Sequence, residues 1–152
     1  MQKDLISNQL SDVEKTKTLL KSSIKKYAPY DSEHIYTPDE LEYYDSLAFR
    51  FEKCVEITIN FFRSLELFIF AKQSETLRDR LLEMQKINII EDIDFWVEAR
   101  LLRNKIAHTY LSEDLEDIYQ EIHDSSQELF NTIARIKDYL AKQFQKEEHA
   151  PK

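Results

Sequence analysis

At 152 residues the chain has room for one domain with a sizeable core and too little for two. It contains no glycine, where average usage of about 7% would supply roughly ten, so a sheet with tight hairpins, a dinucleotide fold and a P-loop are all disfavoured. A formal charge of −8 argues against a general nucleic-acid binder, because phosphate binding runs on Lys and Arg, yet it leaves room for a small local basic cleft.

The first segment, about Lys3 to Tyr27, carries Leu5, Leu10, Val13, Leu20, Ile24 and Tyr27 at near-helical spacing. Pro29 ends it, and residues 29–36 form a short loop. Thr37-Pro38-Asp39-Glu40 is a helix start: a threonine cap, proline at the first helical position and glutamate where a capping box needs it. That helix is predicted to run to about Lys72. Leu47, Phe51, Cys54, Thr58, Phe61, Leu65 and Phe68 form one stripe, and Ile57, Phe62, Ile69 and Phe70 broaden it beyond a single face. A helix apolar on more than one side is central or lies at an interface, and the charged Arg50, Glu52, Lys53 and Glu56 suggest both. Ser74 and Glu75 open a shorter helix with Leu77, Leu81, Leu82 and Met84, ending near Ile90. Glu91-Asp92 leads into a fourth, whose buried stripe is Phe95, Ala99, Leu102 and Ile106. Ser112 with Glu113 and Asp114 caps a fifth, with Leu115, Ile118, Ile122, Leu129, Ile133, Ile136 and Leu140 inward. Residues 1–144 thus read as one helical domain and 145–152 as a polar tail.

The lone Cys54 forms no intrachain disulfide and suits a reducing compartment; on the apolar stripe it reads as core. No N-terminal stretch of this sequence looks like a signal peptide, and the longest apolar-rich run, Phe61 to Ala71, is too short to span a bilayer. A cytoplasmic protein is the plain expectation. Histidines 34, 108, 123 and 149 show no metal-ligand spacing, so neither metal nor other cofactor is expected.

Chemistry concentrates in Arg103-Asn104-Lys105-Ile106-Ala107-His108-Thr109-Tyr110. An arginine holds phosphate, a neutral histidine takes a proton from a hydroxyl, and a histidinium returns one to a leaving oxygen. On an ideal helix Arg103 and His108 are separated by about 140° of rotation and ~7.5 Å of rise, whereas Arg103 and Tyr110 share a stripe. Three arrangements reconcile arginine and histidine: the helix ends or distorts near His108, the arginine side chain reaches round, or a second subunit completes the site. The plainer alternative makes Arg103 a solvated helix charge and His108 a polar residue at a helix end. Around the pair, Arg100 could extend a phosphate-binding edge, Asn104 is equally suited to the cleft or to solvent, and Lys105 adds positive charge.

The segment resembles the signature of the HEPN superfamily, in its HepT branch: Arg103, four residues, His108, one residue, Tyr110. The likeness extends over roughly residues 38–140, through the aromatic-rich Leu41–Phe70 stretch, the Leu77–Met84 helix and Leu115-Glu116-Asp117-Ile118-Tyr119. Two features depart from it: Thr109 stands where relatives often carry glutamate, and the first helix is long. The resemblance implies an all-α, up-and-down bundle of about five helices that dimerises and so brings two motif copies to one cleft. It implies a toxin with metal-independent endoribonuclease activity on RNA. His108 would act as base on a ribose 2′-hydroxyl and Arg103 would stabilise phosphate charge. The partner it implies is a minimal nucleotidyltransferase antitoxin that neutralises the toxin by AMPylation of Tyr110. Two rivals stand beside it: a non-catalytic HEPN module that binds a nucleotide or the nucleotidyltransferase, and a helical interaction protein with no site.

Overall fold

The computed structural model describes residues 2–109 and 112–149, leaving aside the side chains of Ser112 and His149. Five helices account for its regular structure: α1 (Gln2–Lys25), α2 (Pro38–Phe70), α3 (Leu77–Lys86), α4 (Ile93–His108) and α5 (Ser112–His149). Helix α2 packs against each of the other four, and α4 packs on α2, α3 and α5. The fold is therefore the expected all-α bundle, with the two-sided apolar helix at its centre.

The start of α2 follows its sequence. Thr37 accepts from the Glu40 N–H while the Glu40 carboxylate accepts from the Thr37 N–H, and Pro38 occupies the first turn, where no donor is needed. His34 adds a 3.0 Å contact to the same carboxylate, and these bonds hold it below the usual carboxylate range. The helix stops at Phe70, one turn's fraction before the predicted Lys72, because Ala71 turns into the left-handed region (φ 54°) and donates to the Leu67 carbonyl.

The next connection differs from the sequence expectation. Ser74 does not cap α3. Its N–H and hydroxyl both donate to the buried Glu66 carboxylate, the N–H at 2.6 Å, so Thr76 caps α3 instead by accepting from the Asp79 N–H. The Arg80 guanidinium lies 3.5 Å from Glu66 and donates to the Ser74 carbonyl. Helix α3 ends at Lys86 rather than near Ile90, since Asn88 adopts a left-handed φ of 63°. Ile89 and Ile90 then drop into the core from a turn.

The core matches most of the predicted stripes. Leu47, Phe51, Cys54, Thr58, Phe61 and Leu65 of α2 are buried, as are Ile118, Ile122, Leu129, Ile133, Ile136 and Leu140 of α5. Burial pushes the Cys54 thiol up. Two stripes shift. In α1 Ile6 is buried and Leu5 is exposed, and in α4 Trp96, packed edge-on against Phe62, is the main core residue while Phe95 and Ile106 are half-buried. Helix α5 continues through the polar residues after Phe144 to His149. No described helix is long and apolar enough to cross a membrane.

Candidate functional site

The motif lies on the last turns of α4. The helix is capped at its start by Asp92, whose carboxylate accepts from the Asp94 N–H, and anchored by buried Trp96, Ala99 and Leu102. It runs without a break through Arg103 to His108, its last residue, and then turns extended at Thr109. The Thr109 hydroxyl donates to the Lys105 carbonyl, satisfying one acceptor that the helix end leaves free.

An unbroken helix retains the ideal separation, so Arg103 and His108 project about 140° apart. Arg103 points to the α2 side. Its Nη1 lies 3.2 Å from the Glu56 carboxylate and its Nε 3.8 Å from that of Glu52. Glu52 and Glu56 are four residues apart and share a face of α2. His108 is exposed, as are Asn104 and Lys105, and Lys105 lies 4.0 Å from Glu121 of α5. Of the five described motif-region candidates, only Arg100 and Arg103 meet in one place.

That place is a cavity of about 310 Å³ between α2, α4 and the start of α3. Its apolar lining is Val55, Ile59, Leu77 and Ala99, and four arginines reach it: Arg63, Arg80, Arg100 and Arg103. Sequence reasoning missed Arg63 and Arg80, and treated Glu52 and Glu56 only as charged neighbours. The available signal was the four-residue spacing of two carboxylates on the polar side of an otherwise apolar helix. Tyr110 lies outside the described residues. Among those residues, no three His, Cys, Asp or Glu side chains converge as a metal site.

The Ribonuclease HepT-like family model matches residues 20–136. This chain belongs to that family. The match begins inside α1 and ends inside α5, so it takes in α2, α3 and α4 with the whole cavity. A solved structure of a tri-AMPylated Shewanella oneidensis HEPN toxin in complex with MNT antitoxin is similar in fold. Its TM-score is 0.64 at 16% sequence identity, over 89% of this chain and 98% of that one. No curated protein matches the chain in sequence at a significant level. At that identity the likeness to the HEPN toxin shows the HEPN fold, which this HepT-like chain shares.

Proposed function

We propose that this HepT-like protein is a metal-independent endoribonuclease acting as the toxin of a toxin–antitoxin pair, with its site completed in a homodimer. The observation that supports it most is the placement of Arg103 in a cavity while His108, on the same helix, faces away. A second copy brings a histidine to the arginine that one chain keeps apart. In the reaction His108 removes the proton of a ribose 2′-hydroxyl, and the freed oxygen attacks the adjacent phosphorus. The bond from phosphorus to the 5′-oxygen breaks, and that oxygen takes a proton from a histidinium. Arg103 offsets the charge that builds on the phosphate. The products are a 2′,3′-cyclic phosphate and a 5′-hydroxyl.

The Glu52 and Glu56 pairs do not bar this role. All three side chains are between 37% and 51% exposed, and exposed pairs contribute only about 0–1 kcal/mol. A guanidinium has five donors, so Arg103 keeps some for phosphate. The same two contacts favour the rival reading, a non-catalytic HEPN module in which Arg103 merely joins α4 to α2.

Purified protein decides between them. An RNA panel should be cleaved by wild type in excess chelator, and Arg103→Ala and His108→Ala, folded by circular dichroism, should each lose roughly 10²-fold or more. RNA with a 2′-deoxy sugar at the cut should survive. Full cleavage by His108→Ala removes the base assignment, and dependence on added magnesium removes the metal-free mechanism.

Neutralisation is proposed to come from a minimal nucleotidyltransferase antitoxin that attaches AMP to Tyr110. The Shewanella HEPN toxin is described as tri-AMPylated and in complex with MNT antitoxin, and in this sequence Tyr110 follows His108 by two residues. Each AMP adds a negative phosphodiester, which would compete with an RNA phosphate for a guanidinium, together with a bulky nucleoside. Incubation with the antitoxin and ATP should raise the mass of wild type, by about 329 Da per covalent AMP, and leave Tyr110→Phe unchanged.

A further inference from the structure

We infer that the cavity between α2, α3 and α4 is a nucleotide subsite that takes one base of the RNA against its apolar patch and the adjoining phosphate on Arg63 and Arg100. Its role in cleavage rests on the ribonuclease reading of Arg103.

The lining divides by chemistry. Val55 and Ala99 are buried and Ile59 and Leu77 half-buried, giving a small apolar patch from three helices for one face of a flat ring within a mostly polar lining. Asn60, an exposed residue of the lining, offers both a donor and an acceptor to a base edge. At about 310 Å³ the space stands at the small end of the ~300–1,000 Å³ usual for ligand sites, room for one base rather than a stacked pair.

The charges specify the phosphate. Two of the four arginines have partners: Arg80 beside buried Glu66, and Arg103 between Glu52 and Glu56. Arg63 and Arg100 form no ion pair among the described residues, and Glu75 is the lining carboxylate that likewise forms none there. Counting Glu66 beside Arg80 and both carboxylates beside Arg103, the four guanidiniums face four carboxylates, so the site has no net positive charge and a phosphate is met by the local donors of Arg63 and Arg100. That suits one phosphodiester and disfavours a triphosphate. Arg100 stands one turn before Arg103 on the same side of α4, about 4.5 Å along the axis, so a strand seated in the cavity passes directly to the arginine of the motif. His108 does not line the cavity, so the subsite binds without reacting.

The test is an NMR titration of full-length His108→Ala with AMP, GMP, CMP and UMP, with ribose 5-phosphate and inorganic phosphate as controls. At least one nucleotide should bind tenfold or more tightly than either control. Asn60→Trp, which adds bulk to the lining from an exposed position, and the double variant Arg63→Ala/Arg100→Ala should each weaken it at least tenfold while keeping wild-type helicity. In cleavage assays with His108 intact, Asn60→Trp should change which base adjoins the cut. Nucleotides binding no better than phosphate, or binding that Asn60→Trp leaves untouched, would overturn the subsite. If RNA is still cut at unchanged positions in that case, the ribonuclease reading survives alone. If nucleotides bind as expected but no RNA is cut, the subsite stands and the ribonuclease reading fails.

Discussion

Arg103 is held by two carboxylates of α2, that of Glu56 lying 47 residues upstream, and that pairing makes a measurable claim about catalysis. Glu52 and Glu56 fix where the guanidinium lies, and their charge repels incoming phosphate. Replacing both with glutamine keeps shape and removes charge. The Glu52→Gln/Glu56→Gln protein should bind RNA several-fold more tightly, with a steeper salt dependence, and turn over several-fold more slowly because Arg103 is less well oriented. A fall in both KM and kcat is the signature; unchanged values for both would make the pair structural only. The arginine and histidine were legible in the sequence because they lie within one short motif. Their surroundings were not, since nothing in a linear reading says which carboxylate of α2 faces α4. Helical geometry did state that a continuous helix swings His108 away from Arg103, leaving three ways to reconcile them, and the unbroken α4 retains that separation.

At the scale of elements, the α2–α3 connection is the part of the fold most dependent on one side chain. Glu66 is fully buried and is satisfied by the Ser74 N–H and hydroxyl together with the nearby Arg80. Glu66→Ala leaves Arg80 buried without its counter-charge, a change that typically costs about 3–5 kcal/mol. The thermal midpoint should fall by many degrees, and α3, which supplies Leu77 and Arg80 to the cavity, should exchange its amide protons first. A midpoint within a degree or two of wild type would show that the network is dispensable. The same network explains why the cap of α3 was misread. Ser74 has the right chemistry for a cap, but its hydrogen bonds are committed to Glu66, and Thr76 with Asp79 three residues on takes the role. The α1 register slipped for a different reason: adjacent Leu5 and Ile6 are both apolar, and only packing against neighbouring helices selects Ile6.

A second consequence at this scale concerns pH. Tyr119 of α5 packs among Tyr30 and Tyr44, and burial, aided by nearby Asp45, pushes its hydroxyl up to about 12; Tyr44 is raised as well, again chiefly by burial. A folded-state value above the unfolded one of ~10 means that the folded chain holds the proton more tightly. The stabilisation is complete below pH ~10 and is lost as pH rises toward 12. Stability measured by denaturant should therefore decline across that window, and Tyr119→Phe, which keeps the ring and cannot ionise, should flatten the decline. An equally steep decline in the phenylalanine variant would assign it to other groups.

For the whole molecule, the decisive question is whether one site needs two chains. Seven positions apart on α4, Leu101 and His108 share a face, and Leu101 is 45% exposed, so the face that bears the histidine carries, two turns earlier, an apolar side chain that a second copy would cover. Light scattering should give twice the chain mass of 18.3 kDa. Dimerisation alone does not establish a shared site, but mixing two dead variants does. Arg103→Ala has a good histidine and His108→Ala a good arginine, and each homodimer should be inactive. If every site takes its arginine from one subunit and its histidine from the other, a mixed dimer contains one intact site and one lacking both groups. Random exchange between equal amounts of two subunits makes half the dimers mixed, so activity should recover to about a quarter of wild type. Recovery should follow the exchange time rather than appear on mixing. A mixture that stays as inactive as its components, although mass spectrometry shows the mixed dimer, would mean that Arg103 and His108 of the same chain work together. The long arginine would then have to reach round α4, abandoning its contacts with Glu52 and Glu56.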